Sequence, residues 1–403
     1  MAILPALPAE ARRILDLAHT DRAAAREALG ALTPAAQATL LLETPIARRA
    51  ALLDLVDDPE AVVPVLPPAD LCVMARSLGL EEAGWLLSCA TSEQLQAAVD
   101  IDAWRGFAPD RKRFGEWLAV FADAGEATML RAIGAIDFEL LVLHLRTRVH
   151  IVMKTNEDDW EPPAGGVTHD GVFYLVPKDP TDDLVDLMEM LGALFNADYW
   201  SYFRMVQGGI WELDTETEEW AHRWRNGRLQ DLGFPDVEDA KRIYSFLRED
   251  QRAALPTAPD APSAGEPEPA EQPLSLRAVP SMIDSDDHSI LRAIATLEGP
   301  ELEAKRAAFL MLANRIALAD ELPLGEPETL EYAVEKAARG TSRGLEHLAE
   351  FHGRSLPDLV RLVSLERLFQ IGHNIAPEPM GRPRAKTEAQ EADARNAEDD
   401  ASS

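Results

Sequence analysis

Between residues 33 and 102 the chain restarts a helical pattern every 9–14 residues, which limits each helix to two or three turns. The phrases are "TPAAQATLLLET", "TPIARRAALLDLV", "DPEAVVPVL", "PPADLCVMARSLG", "LEEAGWLLSCA" and "TSEQLQAAVDIDAW", starting at Thr33, Thr44, Asp58, Pro67, Leu80 and Thr91. They open with capping or first-turn residues such as Thr, Asp and Pro, then show leucines at helical spacing. Helices that short are unstable alone and must stack on their neighbours. Residues 1–150 are therefore predicted to form a superhelical array of short helices. Longer helices are expected at its end, in "APDRKRFGEWLAVFADAG" and "IDFELLVLHLRTRVHIVMK".

Past Asn156 the pattern changes. "GVTHDGVFYLV" reads as a small hairpin with Asp170-Gly171 in its tight turn, the one strand pair expected in the chain. Helical spacing returns in "DLVDLMEMLGALFNADYWSYFRMVQGG", "ETEEWAHRWRNGRLQDLG" and "DVEDAKRIYSFLRED", which complete a central module over residues 151–254. In the last phrase Val237, Ala240, Ile243, Tyr244 and Leu247 share a face. A Pro/Ala/Glu-rich stretch without periodicity makes residues 255–281 a flexible linker. Residues 282–376 read as a C-terminal unit of three or four helices, and the apolar-poor tail over residues 377–403 reads as disordered. The fold class expected is mainly α, with a small central β-hairpin.

With 403 residues and a formal net charge of −31, the chain is unsuited to neutralising phosphates, so no nucleic-acid partner is expected. An acidic balance points instead to protein or cation partners. Cys72 and Cys89 lie in leucine-rich helical patterns with no Cys-x-x-Cys pairing and read as buried, reduced thiols. Prolines interrupt the N-terminus where a secretory signal needs an apolar run, and no segment has the length of a membrane span. A cytoplasmic location with no membrane insertion is the expectation.

The stretch "HRWRNGRLQDLGF" puts a basic island in this acidic chain. Arg223, Trp224, Arg225 and Arg228 are the candidate anion- or partner-binding residues, since the planar guanidinium suits bidentate contact with carboxylate or phosphate. The opposing reading pairs these arginines with the chain's own carboxylates and packs their stems over indole rings. Helical spacing already separates Arg223 from Arg225. Tyr199, Trp200 and Phe203, followed by Trp211, are the candidate aromatic groove, with packing against Phe173 and Tyr174 as the alternative.

The acidic groups Glu157-Asp158-Asp159, Asp182-Asp183 with Asp186, and Asp284-Asp286-Asp287 lack an EF-hand spacing, so no dedicated metal site is expected and only weak Mg²⁺ binding is retained. The histidines show no metalloprotease spacing, and His169 beside Asp170 reads as a turn pair. With no nucleophile elbow, P-loop or dinucleotide fingerprint, no catalytic residue or cofactor is assigned.

Two resemblances add to this reading. The phrase "VLPPADLCVM", Val65 to Met74, within the short-helix array, is similar to the intracellular N-terminal domain of MgtE-type magnesium transporters, a superhelix of short helices. Across nearly the whole chain the order of features resembles an uncharacterised bacterial domain-of-unknown-function family, DUF family six-one-seven-eight. The phrases that carry it are Leu140 to Leu145, Asp170 to Tyr174, Arg223 to Phe234 with Ala240 to Tyr244, and Leu312 to Arg315. That resemblance implies a bacterial helical protein and no particular activity. The function expected is a non-enzymatic interaction or scaffold protein with a protein partner. The alternatives are a divalent-cation-responsive regulator and an enzyme acting on an anionic small molecule at the Arg223–Arg228 island.

Overall fold

The computed structural model describes residues 9–106, 108–156, 159–182, 184–256 and 288–377, and these are mainly helical. Helices α1 (Ala9–Thr20) and α2 (Arg22–Gly30) pack together ahead of the repeated phrases. The phrases then become α3 (Pro34–Glu43), α4 (Ile46–Leu53), α5 (Pro59–Val62), α6 (Pro68–Leu78), α7 (Gly84–Ser88) and α8 (Ser92–Asp102), with 3-10 turns at Val63–Val65 and Leu80–Glu82. Their starts follow from local chemistry. The Thr33 side chain accepts from the Ala36 amide, Asp58 accepts from Ala61, and Thr91 and Gln94 form a reciprocal capping box. Thr44 behaves otherwise: its hydroxyl donates back to Leu40, so it closes α3 and leaves Pro45 to open α4.

Asp70, in the "PPAD" phrase, has a tertiary partner. Arg49 and Asp70 are both buried, 3.0 Å apart, and the rest of the Arg49 fork donates to the carbonyls of Thr44 and Leu42. A buried guanidinium is tolerated because each side of it meets an acceptor. Cys72 is buried as expected, whereas Cys89 is half-buried, and both are free thiols.

Strands β1 (Trp104–Arg105) and β2 (Ala108–Pro109) make a minimal antiparallel pair before α9 (Arg111–Asp123), α10 (Glu126–Ala135) and α11 (Phe138–Arg148). The sequence expectation of a single strand pair is therefore corrected. A second correction follows α11. The phrase read as one helix to Lys154 stops at Arg148, and residues 149–153 extend as β3 (Val149–Met153). "VHIVM" is β-branched at three of five positions, and β4 (Phe173–Pro177) offers it a full antiparallel ladder from Val149 opposite Pro177 to Met153 opposite Phe173. The chain bends where the tight turn was expected, with Gly171 at φ 68° and Asp170 accepting from the amides of Val172 and Phe173, but the pairing of Val167 with Leu175 leaves residues 168–174 between them, so it is not a two-residue hairpin turn. Its expected first strand contributes only a single bridge, from Val167 to Leu175.

Helices α12 (Val185–Ala197), α13 (Tyr199–Trp211), α14 (Asp214–Asp231), α15 (Val237–Lys241) and α16 (Glu249–Ala253) complete the central part. Val237, Ala240, Ile243 and Leu247 are all buried, although the helix tightens to a 3-10 turn at Arg242–Tyr244. The C-terminal part has five helices among the described residues: α17 (Ser289–Ala295), α18 (Gly299–Ala319), α19 (Pro327–His352), α20 (Leu356–Leu362) and α21 (Leu365–Ile375). Extended backbone at Val363 separates the last two, and the unit exceeds the three or four helices expected. The linker read at 255–281 and the tail read at 377–403 lie outside the described residues except for Leu255, Pro256 and Pro377.

The C-terminal helices dock on the rest of the chain. Helix α15 packs on α18, and the Asn314 amide donates to the Gly233 carbonyl at 3.2 Å. The Tyr244 hydroxyl donates to Asp320 at 2.7 Å, and the same carboxylate takes the buried Lys336 ammonium at 2.6 Å. Gly325 lies so close to Asp102 of α8 that a methyl group there would overlap the carboxylate. Helices α19 and α21 cross with backbones nearly touching, because a Cβ at Gly344 or Gly372 would collide with the carbonyl of Leu368 or Gly340.

Candidate functional site

Helix α14 carries the basic island and shows two faces. Thr217, Ala221, Arg225 and Leu229, each four residues apart, are buried, and the helix packs on α8 and α11. An arginine in that row needs acceptors. The Arg225 Nε donates to the Asp100 carbonyl at 2.7 Å, Nη1 reaches the Gly106 carbonyl at 3.4 Å, and the guanidinium lies 4.8 Å from the centroid of the Trp104 ring. Gly106 has φ 58° in the β1–β2 turn, so the small hairpin serves to present that carbonyl and the neighbouring indole to Arg225. Burial pushes the Arg225 guanidinium down to about 10, with Asp100 opposing the shift.

Arg228 is the joint of three helices. Its Nε and Nη2 donate to the two Asp100 oxygens at 2.6 and 2.9 Å, while Nη1 and Nη2 reach the two Asp137 oxygens at 3.0 and 2.5 Å. Asp100 belongs to α8 and Asp137 precedes α11, so one fork ties both to α14. Burial pushes the Asp100 carboxyl up, and the Arg228 hydrogen bonds oppose it. Burial alone would lower Arg228, but its bonds to the two carboxylates outweigh that and raise it.

The outer face is different in kind. Trp220 and Trp224 are 47% and 51% exposed, and their rings stack on each other with centroids 6.1 Å apart at 25°. Arg223 is exposed with its guanidinium 5.4 Å from the Trp220 centroid. Gly227, one turn on, has open space where a side chain would project. The four island residues thus divide, with Arg225 and Arg228 turned inward and Arg223 and Trp224 outward.

The aromatic candidates divide too. Tyr199, Trp200 and Phe203 cluster at the start of α13, and Phe203 meets Phe173 of β4 edge-on at 5.7 Å. Trp211, at the far end of the same helix and 74% exposed, lies roughly 18 Å along the axis from Tyr199. Beneath the cluster, buried Tyr202 stands 6.2 Å from the His169 ring. The Tyr202 hydroxyl, His169 Nε2 and Asp170 Oδ2 are buried without a hydrogen-bond partner among the described residues. Burial pushes the Tyr202 phenol up, reinforced by the Asp170 charge. His222 is half-buried near Trp104, and burial lowers it.

Sequence reasoning did not anticipate Arg148. It donates to Asp182 at 2.8 and 2.5 Å and to both Asp186 oxygens at 2.6 Å, beside the buried His144 ring. Burial pushes that imidazole down, while Asp186 pulls the other way. Asp182 and Asp186 thus face a cation of the chain itself; Asp183, Glu157 and Asp158, like Asp284, Asp286 and Asp287, lie outside the described residues. No group of three or more His, Cys, Asp or Glu side chains among the described residues is placed to hold a metal ion, and no described helix is long and apolar enough to cross a membrane.

Comparison with known proteins bears on this geometry. A family of unknown function, DUF6178, matches residues 26–379. The chain belongs to the DUF6178 family. No curated protein and no solved structure matches it, so the likeness to transporter N-terminal domains has no counterpart among the matches. Three of the phrases that carry the resemblance in the sequence fall on joints of this fold. The "RWRNGRLQDLGF" phrase supplies Arg225, Arg228 and the Gly233 carbonyl, "AKRIY" supplies Tyr244, and "LANR" supplies Asn314 and Arg315, the last 2.5 Å from Glu366.

Proposed function

We propose that this chain is a non-enzymatic interaction or scaffold protein that docks a protein partner on the outer face of α14. One observation carries the reading: two stacked tryptophans, each about half exposed, stand on a helix whose opposite face is fully used for packing. Indole rings held rigidly at a surface supply contact area at little entropic cost and dominate many protein interfaces. The inward arginines support the reading by removing themselves from ligand duty, since Arg225 and Arg228 meet acceptors within the chain. A superhelical course for the array, and a concave surface along it, belong to the same proposal.

The test is site-specific photo-crosslinking in host lysate, with the crosslinker in place of Arg223 and, separately, in place of exposed Glu346 on α19. The reading expects one protein captured from position 223, absent from position 346, and lost when Trp220→Ala and Trp224→Ala are added to a chain whose circular dichroism is unchanged. Equal capture from both positions, or capture indifferent to the tryptophans, refutes it.

A further inference from the structure

The same outer face specifies the chemistry of its occupant. Glu216 and Glu219 are exposed in the turn that leads to Trp220 and Asp231 is exposed at the far end of the helix, all on or beside the tryptophan face, whereas exposed Glu218 points to the other side. None of these four carboxylates meets a cation among the described residues, although most of the arginines elsewhere have found one. Arg223, the only basic residue on this face of α14, is turned onto the Trp220 ring, which shows that the indole faces accept a guanidinium. The remaining outer ring faces, and the open surface above Gly227, continue that row toward the helix end.

We infer that the occupant of this face is a basic segment of another protein, whose arginine or lysine side chains lie on Trp220 and Trp224 while their charge is met by Glu216, Glu219 and Asp231. The inference rests on the docking reading of α14 and adds the partner's charge to it. A second copy of this chain is disfavoured as occupant, because two bodies of formal charge −31 repel each other before the rings meet. Anionic lipid and nucleic-acid backbones are opposed by the same field.

The experiment uses the full chain and a fluorescent nine-residue oligo-arginine probe, followed by anisotropy at low salt, with oligo-glutamate as its counterpart. Four proteins are compared: wild type; Trp220→Ala with Trp224→Ala; Glu216→Gln with Glu219→Gln and Asp231→Asn; and a charge-matched control, Glu60→Gln with Glu346→Gln and Glu350→Gln at exposed positions elsewhere. The expected result is binding of oligo-arginine only, weakened about tenfold by the tryptophan pair and about tenfold by the α14 carboxylate variant, but no more than about twofold by the control. If the control loses as much as the α14 triple while the tryptophan pair loses nothing, the binding is diffuse attraction and the inference fails. If oligo-arginine does not bind while crosslinking from position 223 succeeds, the docking surface stands and only the basic partner is overturned. Failure of both removes the docking reading itself.

Discussion

Replacing Arg228 by methionine tests whether the basic island holds the fold. Arg228→Met keeps the aliphatic stem and deletes four hydrogen bonds to two carboxylates. The Asp100 side chain is 3% exposed and Asp137 13%, so both lose a partner in a place water barely reaches. Removing one member of a buried pair costs about 3–5 kcal/mol, since the other charge stays behind unpaired. Two features place this case near the lower end: the Arg228 side chain is itself 27% exposed, and the Arg225 charge remains beside Asp100. A loss of about 3 kcal/mol is expected in urea denaturation at neutral pH, read on the transition that separates α14 from α8. The sign of its pH dependence is a second check. Burial raises the Asp100 carboxyl above its unfolded value of 3.8, and without Arg228 the opposing bonds are gone. The folded state then binds the proton more readily than the unfolded one, so the penalty is complete above the folded value and shrinks as pH falls toward the unfolded one. Adding Asp100→Asn should return part of the loss at neutral pH. A deficit under about 1 kcal/mol, or one that grows on acidification, would refute the joint.

Lys336→Met strands the Asp320 carboxylate in the seam between the C-terminal helices and Tyr244, and is expected to cost about 3–5 kcal/mol, most of it recovered by adding Asp320→Leu; equal losses in single and double variants would contradict this. Gly344→Ala pushes a methyl group into the Leu368 carbonyl, so α19 and α21 must separate; a loss of about 1–3 kcal/mol in thermal unfolding is expected, and an unchanged midpoint would rule out the close crossing. Tyr202→Phe removes a buried hydroxyl that meets no hydrogen-bond partner among the described residues, so stability should hold or rise; a loss above about 1 kcal/mol would show the hydroxyl bonded, with Asp170, whose charge acts on the phenol, as the acceptor to test.

Much of the helical order was legible because caps are local. Thr33, Asp58 and Thr91 each take a backbone amide three residues on, and a signal of that range survives in any window of sequence. The split of Arg223 from Arg225 was equally legible, since helical spacing alone puts them on different sides. What Arg225 and Arg228 touch was not. Their partners at Asp100 and Asp137 lie 91 to 128 positions away, and a guanidinium goes inward only where an acceptor geometry has been assembled around it. The minimal strand pair at Trp104 and Ala108 left no alternating pattern to read, because its use is to turn one carbonyl and one indole toward Arg225.

Residues 149–153 show where local information ends. "VHIVM" prolongs a leucine-rich helix in sequence, and its β-branched residues tolerate either state; the open edge of β4 supplies the ladder that decides it. The same division holds for the chain as a whole. Composition and spacing set a mainly helical chain of short, capped segments, because helix starts are stabilised within one turn. Which arginines became joints and which tryptophans stayed in water was set by tertiary packing, because burying a charge is favourable only after distant acceptors have been brought around it.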